Sequence, residues 1–452
     1  MYLTTNNKIK TKNKLKLQIL KELTKNSKDL YNKALYKVRQ HFFENKEYLP
    51  YKKLYPLMKT EPEYTRLPSN ASQQTLKAVD NAFKSFFNAL KAKKQGKNNN
   101  KVKIPGYLDK NGYYKVIYTK IHLKREGNYI RLSLPKYIKE KYNTRYLYFK
   151  IPKHIQDKDI KEIHILPSKP YYKMSFIYDS GFTIKPTDKF NIQIDNIMSI
   201  DLGLNNLATI VTRLSKPIII DGKSLKSSNR YFNKRISVLQ SMITKGLDMK
   251  SAKAKKLLKQ SKVLNRWYER RLNYIKDYLH KAATLIINKA LKENIKLIII
   301  GYNKGWKNEI DLGKTTEGFM NIPHLKLVEY IEYRAKLYGI KTVRQEESYT
   351  SKADALALDY IPSYKKDEED KSNYKFSGKR ILRGLYQSSI GKLINADING
   401  ALNIMRKYFQ NLSVACDSLI REITGRGLVF QPVRVYIHPY KSSYKGSSLY
   451  NS

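Results

Sequence analysis

Two short stretches restrict the fold of this chain more than any other feature. Ile197-Met198-Ser199-Ile200-Asp201 and Leu297-Ile298-Ile299-Ile300-Gly301 are almost wholly apolar runs. A strand that covers one face of a core alternates apolar and polar residues, whereas a continuous apolar run needs cover on both faces. Such runs predict central strands of a sheet with helices packed on each side. The surrounding pattern supplies those helices. Residues 224 to 294 carry Leu257, Leu264, Trp267, Leu272, Ile275 and Leu279 as an apolar stripe, residues 323 to 339 are amphipathic, and Ile394 to Tyr408 closes the series. Ile340-Lys341-Thr342-Val343 reads as a further strand. The order strand, hairpin, helices, strand, helix, strand, helix predicts an α/β layer sheet.

Upstream the texture differs. Residues 14 to 95 have helical periodicity, as in Leu76-Val79-Phe83-Phe86-Phe87-Leu90. From 102 to 184 short alternating stretches rich in Tyr, Ile and Val predict a small antiparallel barrel or sandwich. Tyr interleaved with Lys suits stacking on bases with ammonium groups on phosphates, and it equally suits ordinary packing of half-buried strands. With 452 residues there is chain enough for about three domains. The expected layout is helical residues 1–101, β-rich residues 102–188, an α/β domain over 189–412 with a helical insertion at about 224–294 and another insert at about 350–392, and a basic, mobile Tyr/Ser-rich tail over 413–452.

Composition narrows the partners. Lys+Arg number 88 against 38 Asp+Glu, a formal charge of +50, yet 41% of residues are hydrophobic. A globular chain so charged repels itself unless a polyanion neutralises it, which predicts nucleic acid. No apolar run approaches the ~18 residues of a spanning helix, and Met1 to Asn6 has no apolar leader core. The expectation is an intracellular, cytoplasmic, nucleoid-associated protein with no membrane partner. Cys416 is the one cysteine, so no internal disulfide forms. There is no Gly-x-x-x-x-Gly-Lys-Ser/Thr loop and no His-x-His pair.

Chemistry concentrates in two motifs. In Ser199-Ile200-Asp201-Leu202-Gly203-Leu204-Asn205-Asn206 an aspartate ends a buried strand, which is costly unless it is paired or holds a metal. In Asn395-Ala396-Asp397-Ile398-Asn399-Gly400-Ala401 small and apolar residues at positions 396, 400, 401 and 404 let the helix lie close on a sheet. Asp397 at its start would then share a crevice with Asp201.

These motifs, with Gly301-Tyr302-Asn303-Lys304-Gly305-Trp306-Lys307, Tyr349-Thr350-Ser351-Lys352 and Ser377-Gly378-Lys379-Arg380, resemble the insertion-sequence OrfB/TnpB proteins, transposon-encoded relatives of the type V CRISPR nucleases. The resemblance is dense from about residue 199 to 407. It implies an RNase H-like RuvC domain preceded by a helical recognition region and a small wedge-like β-barrel, a guide RNA from the transposon end, double-stranded or displaced single-stranded target DNA, and Mg²⁺-dependent cleavage with two ions. Whether such a chain acts as a monomer or homodimer stays open.

Two departures matter. The family's usual glutamate after the central strand is replaced by Asn303, and an amide cannot offset the charge of bridged Mg²⁺. The resemblance then implies a glutamate relocated to the next strand, in Gln345-Glu346-Glu347: strand alternation favours Glu347, with Glu346 as second choice. The implied metal ligands and catalytic residues are Asp201, Glu347 and Asp397. Secondly, residues 351 to 393 hold no Cys and no His, so no zinc ribbon is expected. A metal-free cap would take its place, with Lys352, Lys379, Arg380 and Arg383, together with Lys304, Trp306 and Lys307, on nucleic acid. Asn303 keeps a nuclease-dead guided repressor in play, and a transposase acting without RNA is the other alternative.

Overall fold

The computed structural model describes residues 1–96, 100–168, 171–181, 196–302, 322–363 and 374–437. It divides into two units, Met1–Thr183 and Ile184–Ser452. None of the described helices is long and apolar enough to cross a membrane.

The first unit runs β1 (Tyr2–Lys8), α1 (Lys14–Asn45), α2 (Tyr51–Met58), α3 (Pro62–Thr65), α4 (Ser69–Lys94), β2 (Val116–Thr119), β3 (Leu123–Glu126), β4 (Tyr129–Ser133), α5 (Lys136–Tyr142), β5 (Tyr146–Lys150), β6 (Ile160–Ser168) and β7 (Tyr171–Asp179). Its strands form two antiparallel sheets, in the orders β1-β7-β6-β2 and β3-β4-β5. Two expectations change here. The N-terminal residues, expected within a helical region, form a strand that pairs along its whole length with β7, from Tyr2 opposite Asp179 to Lys8 opposite Lys173. The helical and β-rich regions also share one core: Leu20, Leu23 and Leu30 of α1, with Leu76, Val79 and Phe83 of α4, pack in a cluster with Val116, Ile163, Ile165 and Phe176. Neither layer could bury its apolar face alone.

The second unit contains β8 (Ile197–Leu202), β9 (Asn206–Thr212), β10 (Ile218–Asp221), α6 (Lys223–Ile243), α7 (Ala252–Gln260), α8 (Lys262–Lys292), β11 (Leu297–Gly301), α9 (His324–Leu337), β12 (Lys341–Gln345), β13 (Lys379–Leu382), β14 (Leu385–Gln387), β15 (Leu393–Asn395), α10 (Ala396–Asn411), α11 (Asp417–Gly425) and β16 (Val433–Val435). The main sheet has the order β12-β11-β8-β9-β10-β16. Strands β8, β11 and β12 are parallel, and β9 runs antiparallel to both β8 and β10.

Both apolar runs lie at its centre, and alternation divides them between two cores. Met198, Ile200, Leu202, Ile298 and Ile300 face α8 and α9, among Tyr278, Leu279, Ile286 and Leu327. Ile197, Leu297 and Ile299 face α10 and α11, among Ile398, Ala401, Ile404 and Leu419. Asp201 and Gly301 share the parity of the second set, so both open towards α10. The tail expected to be mobile from residue 413 is ordered as far as 437. It forms α11 and then β16, which extends the sheet in parallel beside β10. Residues 438–452 lie outside the described ones.

Candidate functional site

Asp201, Glu347 and Asp397 lie within electrostatic reach of one another where β8, β11 and β12 end beneath the start of α10. Asp201, near the end of β8, sits opposite Thr209 of the hairpin strand β9. Gly400 of α10 passes directly over it: a Cβ on Gly400 would stand 2.7 Å from Asp201 Oδ2. Glycine is therefore required for this helix to approach the strand end. The parallel register sets Gly301 beside Gln345, and the chain continues through Glu346 into Glu347. A Cβ on Gly301 would meet Glu347 Oε1 at 2.3 Å and Ile404 Cδ1 at 2.5 Å. Glu347 thus lies over the end of the central strand, on the α10 side.

Its neighbour Glu346 is differently engaged. Glu346 Oε2 accepts from Lys407 Nζ at 2.5 Å, and Lys407 also donates to the carbonyls of Ser348 at 2.8 Å and Pro362 at 3.0 Å. Lys407 is fully buried, and its ammonium is made more acidic by that burial, with Glu346 opposing. The strand end is further fixed by Thr350, whose backbone N–H and hydroxyl both donate to the Glu347 carbonyl, at 3.1 and 2.8 Å.

Electrostatics tie the carboxylates together. Burial raises the Asp201 carboxyl well above the usual range, Glu347 and Asp397 raise it further, and Arg380 opposes them. Glu347 is pushed up to about 8 by burial and then by Glu346, against Lys407. Asp397 occupies the first turn of α10, capped by Asn395 Oδ1, which accepts from the N–H groups of Asp397 at 3.0 Å and Ile398 at 3.4 Å. Asp397 Oδ2 accepts from Asn206 Nδ2 at 2.5 Å, and Oδ1 pairs with Arg380 at 3.3 Å. Asn206 in turn accepts from Arg434 at 2.8 Å. Arg434 belongs to β16, so sequence reading, which assigned that segment to a tail, had no signal for it.

Among the described residues no three His, Cys, Asp or Glu side chains are drawn together closely enough to hold a metal ion. Asp397 is engaged by Arg380 and Asn206 instead. The donor set nevertheless fits a hard divalent cation, being three carboxylates without a sulfur ligand.

The insert that follows Glu347 is held by hydrogen bonds to α10. Asn399, Asn403, Arg406 and Gln410 recur along that helix and lace the loop. Asn399 donates to Ala353 O at 2.8 Å and accepts from Ala355 N at 3.0 Å. Asn403 donates to Thr350 O at 2.9 Å, Arg406 to Asp359 O at 2.8 Å and Gln410 to Ile361 O at 2.8 Å. Inside the loop the fully buried Asp354 accepts from Leu356 N at 3.0 Å, Ser388 Oγ at 2.7 Å and Ser389 N at 2.8 Å. Gly378 is squeezed here too, since a Cβ would meet Tyr386 Cε1 at 2.6 Å and Asp354 Oδ2 at 2.8 Å. Asp354→Ala is expected to cost about 3 kcal/mol, because several buried donors lose a charged acceptor together. A lower thermal midpoint with faster proteolysis between residues 350 and 395 checks it.

Lys352, Lys379 and Arg380 line one groove of about 470 Å³ against this insert. Arg383 is exposed in the β13–β14 turn and does not line it. Lys304, Trp306 and Lys307, with Asn303, lie outside the described residues.

The family OrfB_IS605, described as probable transposase, matches residues 186–307, and the Cas12f1-like TNB domain matches residues 324–404. The two matches cover the strands that bring Asp201, Glu347 and Asp397 together. Over these segments the chain is similar to the OrfB/TnpB proteins. A TnpB-like protein, ORF457 of Acidianus two-tailed virus, is 27% identical over 411 residues, covering 86% of this chain and 83% of the relative. A Cas12f1 structure determined as a complex with single guide RNA and target DNA has a TM-score of 0.53 and 15% identity, over 86% of this chain and 82% of that one. That likeness is one of fold: a multidomain α/β architecture.

The raised carboxyls give this chain a defined pH response. Glu347 keeps its proton in the folded chain up to about 8, whereas the unfolded chain releases it near the usual glutamate range. Its contribution to stability is therefore complete below the unfolded value and is lost as pH rises through about 8. In chelator-treated protein the thermal midpoint of Glu347→Gln should gain on wild type between pH 5 and pH 9. A difference that is flat across that range contradicts the assignment.

Proposed function

We propose that this chain is an RNA-guided DNA endonuclease that cuts through an RNase H-like RuvC site formed by Asp201, Glu347 and Asp397. The observation that carries the reading is the packing of Gly400 on Asp201 and of Gly301 on Glu347 at neighbouring strand ends, with Asp397 near enough to raise the Asp201 carboxyl. The sheet order supports it: three parallel strands continue into an antiparallel hairpin, with one acidic group at the central strand β8, one after β12 and one on the helix packed across them. The family-model matches over residues 186–307 and 324–404 and the likeness to the Cas12f1 fold support it as well.

Two Mg²⁺ ions on these carboxylates would supply activation of a water and stabilisation of the leaving 3′-oxygen. The chain's own residues do the rest. Arg380, paired with Asp397 across 3.3 Å, is placed to exchange that carboxylate for a backbone phosphate. Lys352 and Lys379 hold the strand in the same groove. Lys407 fixes Glu346, and so the turn that presents Glu347. Base pairing with the guide would read sequence, while the +50 charge holds backbone.

The test is to express the chain with flanking transposon DNA and sequence the RNA that copurifies. The complex is then given Mg²⁺ and a target plasmid with randomised flanks. A defined RNA and cut plasmid, both lost on ribonuclease treatment, are expected. Activity that survives ribonuclease would instead favour a transposase acting without RNA. The guided repressor is favoured by one observation, Arg380 held on Asp397, and predicts the same RNA with bound, uncut plasmid.

A further inference from the structure

The sheet β3-β4-β5 has one face in the core and one in solvent. Ile130, Leu132, Leu147 and Phe149 are buried. Alternation sends Tyr129 and Arg131 of β4 to the other side, together with Tyr146, Tyr148 and Lys150 of β5 and Lys124 of β3. Tyr129 and Tyr148 are 47% and 44% exposed, which is high for rings that pack readily against a neighbour. By contrast Tyr118, on the other sheet of this unit, is fully buried.

The face is ordered. Arg131 lies opposite both Lys124 and Tyr148, and Tyr129 lies opposite Lys150. The Arg131 guanidinium stands 4.0 Å from the Tyr146 ring centroid and pairs with Glu126 at 2.9 Å. Tyr146 and Tyr148 have centroids 6.5 Å apart at 75°, and Tyr129 is a diagonal neighbour of Tyr148 on the same face, their backbones about 7–8 Å apart. Both spacings are about twice the 3.4 Å repeat of stacked bases. Only a strand whose bases are splayed apart can lay one on each ring. A duplex offers no free base faces to such a surface. Lysines on the two outer strands flank the rings where phosphates of such a strand would run.

We propose that this face is a stacking platform for unpaired bases of single-stranded RNA, seating one base on each of Tyr129 and Tyr148, with Tyr146 held under Arg131 beside them and phosphates on Lys124 and Lys150. The choice of RNA over DNA rests on the guided reading above, in which RNA is the strand carried by the protein before any target is met. The basic and aromatic face suits single strands of either kind, so the experiment includes both.

The full chain, freed of copurified nucleic acid at high salt, is titrated with a fluorescent 12-nucleotide oligouridylate, the matching oligodeoxythymidylate and a 12-base-pair RNA duplex. The double variant Tyr129→Ala/Tyr148→Ala should weaken oligouridylate binding by about tenfold or more. The Tyr129→Phe/Tyr148→Phe variant, which keeps the rings, should stay within about twofold, and duplex binding should change by less than about twofold in both. Unchanged binding by the alanine variant, an equal loss with the duplex, or oligodeoxythymidylate bound more tightly than oligouridylate overturns the proposal. Should the alanine variant fail to fold, photo-crosslinking of wild-type chain to the oligouridylate decides instead. Adducts on Tyr129 or Tyr148 support the platform, and their absence with adducts elsewhere refutes it. Failure of the guided reading is separate: no defined RNA copurifies, whatever the oligonucleotides do.

Discussion

Glu347→Gln is expected to lower guide-directed cleavage by about a thousandfold or more, with guide and target binding within about twofold of wild type. The change is nearly isosteric and removes charge where a divalent ion needs it. Glu346→Gln should behave differently. Its carboxylate is the anionic partner of the fully buried Lys407, so the loss falls on folding, because removing one member of a buried pair strands the other charge. The thermal midpoint should fall, while cleavage at low temperature stays within about tenfold of wild type. Cleavage rates set beside melting curves for the two variants separate the roles. The reverse pattern would make Glu346 the ligand.

Gly400→Ala and Gly301→Ala should each lower cleavage by about a hundredfold without removing a charged group, since displacing reacting groups by about 1 Å carries a cost of that order. The added methyl at 400 would sit 2.7 Å from Asp201 Oδ2. At 301 it would sit 2.3 Å from Glu347 Oε1 and 2.5 Å from Ile404 Cδ1. Ile404 is fully buried and cannot yield freely. Gly425→Ala is the control, because nothing lies within 4 Å of its added methyl. Cleavage by the 301 and 400 variants equal to that of the control would mean that the carboxylates need not stay where they are.

The sheet centre was legible because a run such as Leu297 to Ile300 has few other folds open to it, and because the parity of Asp201 and Gly301 follows from alternation alone. The approach of α10 was legible in Gly400 and Ala401, whose small size is useful only against a close neighbour. Glu347 could be placed only through the family resemblance, since strand alternation says which face a residue takes and not which strand lies alongside. The strand Tyr2–Lys8 was missed because Tyr-Leu-Thr-Thr-Asn-Asn-Lys has little apolar alternation; its pairing comes from the exposed edge of β7, which lies far along the chain. The final strand was missed for a similar reason. Val433-Arg434-Val435 is too short to signal a strand, and it forms because β10 offers it an edge. Arg434, and its link through Asn206 to Asp397, went with it. The hydrogen bonds that hold the 350–362 loop were hidden too, because Asn399, Asn403 and Gln410 read as ordinary polar positions on a helix until the loop is laid against them.

The most direct measurement compares wild type with Asp201→Asn, each purified with its guide RNA, on a matched target plasmid with and without Mg²⁺. Target binding is read in parallel. The prediction is that both bind the target alike and that only wild type with Mg²⁺ cuts it. Equal product from Asp201→Asn, or cutting by wild type that chelator leaves unchanged, would contradict a nuclease built on Asp201, Glu347 and Asp397.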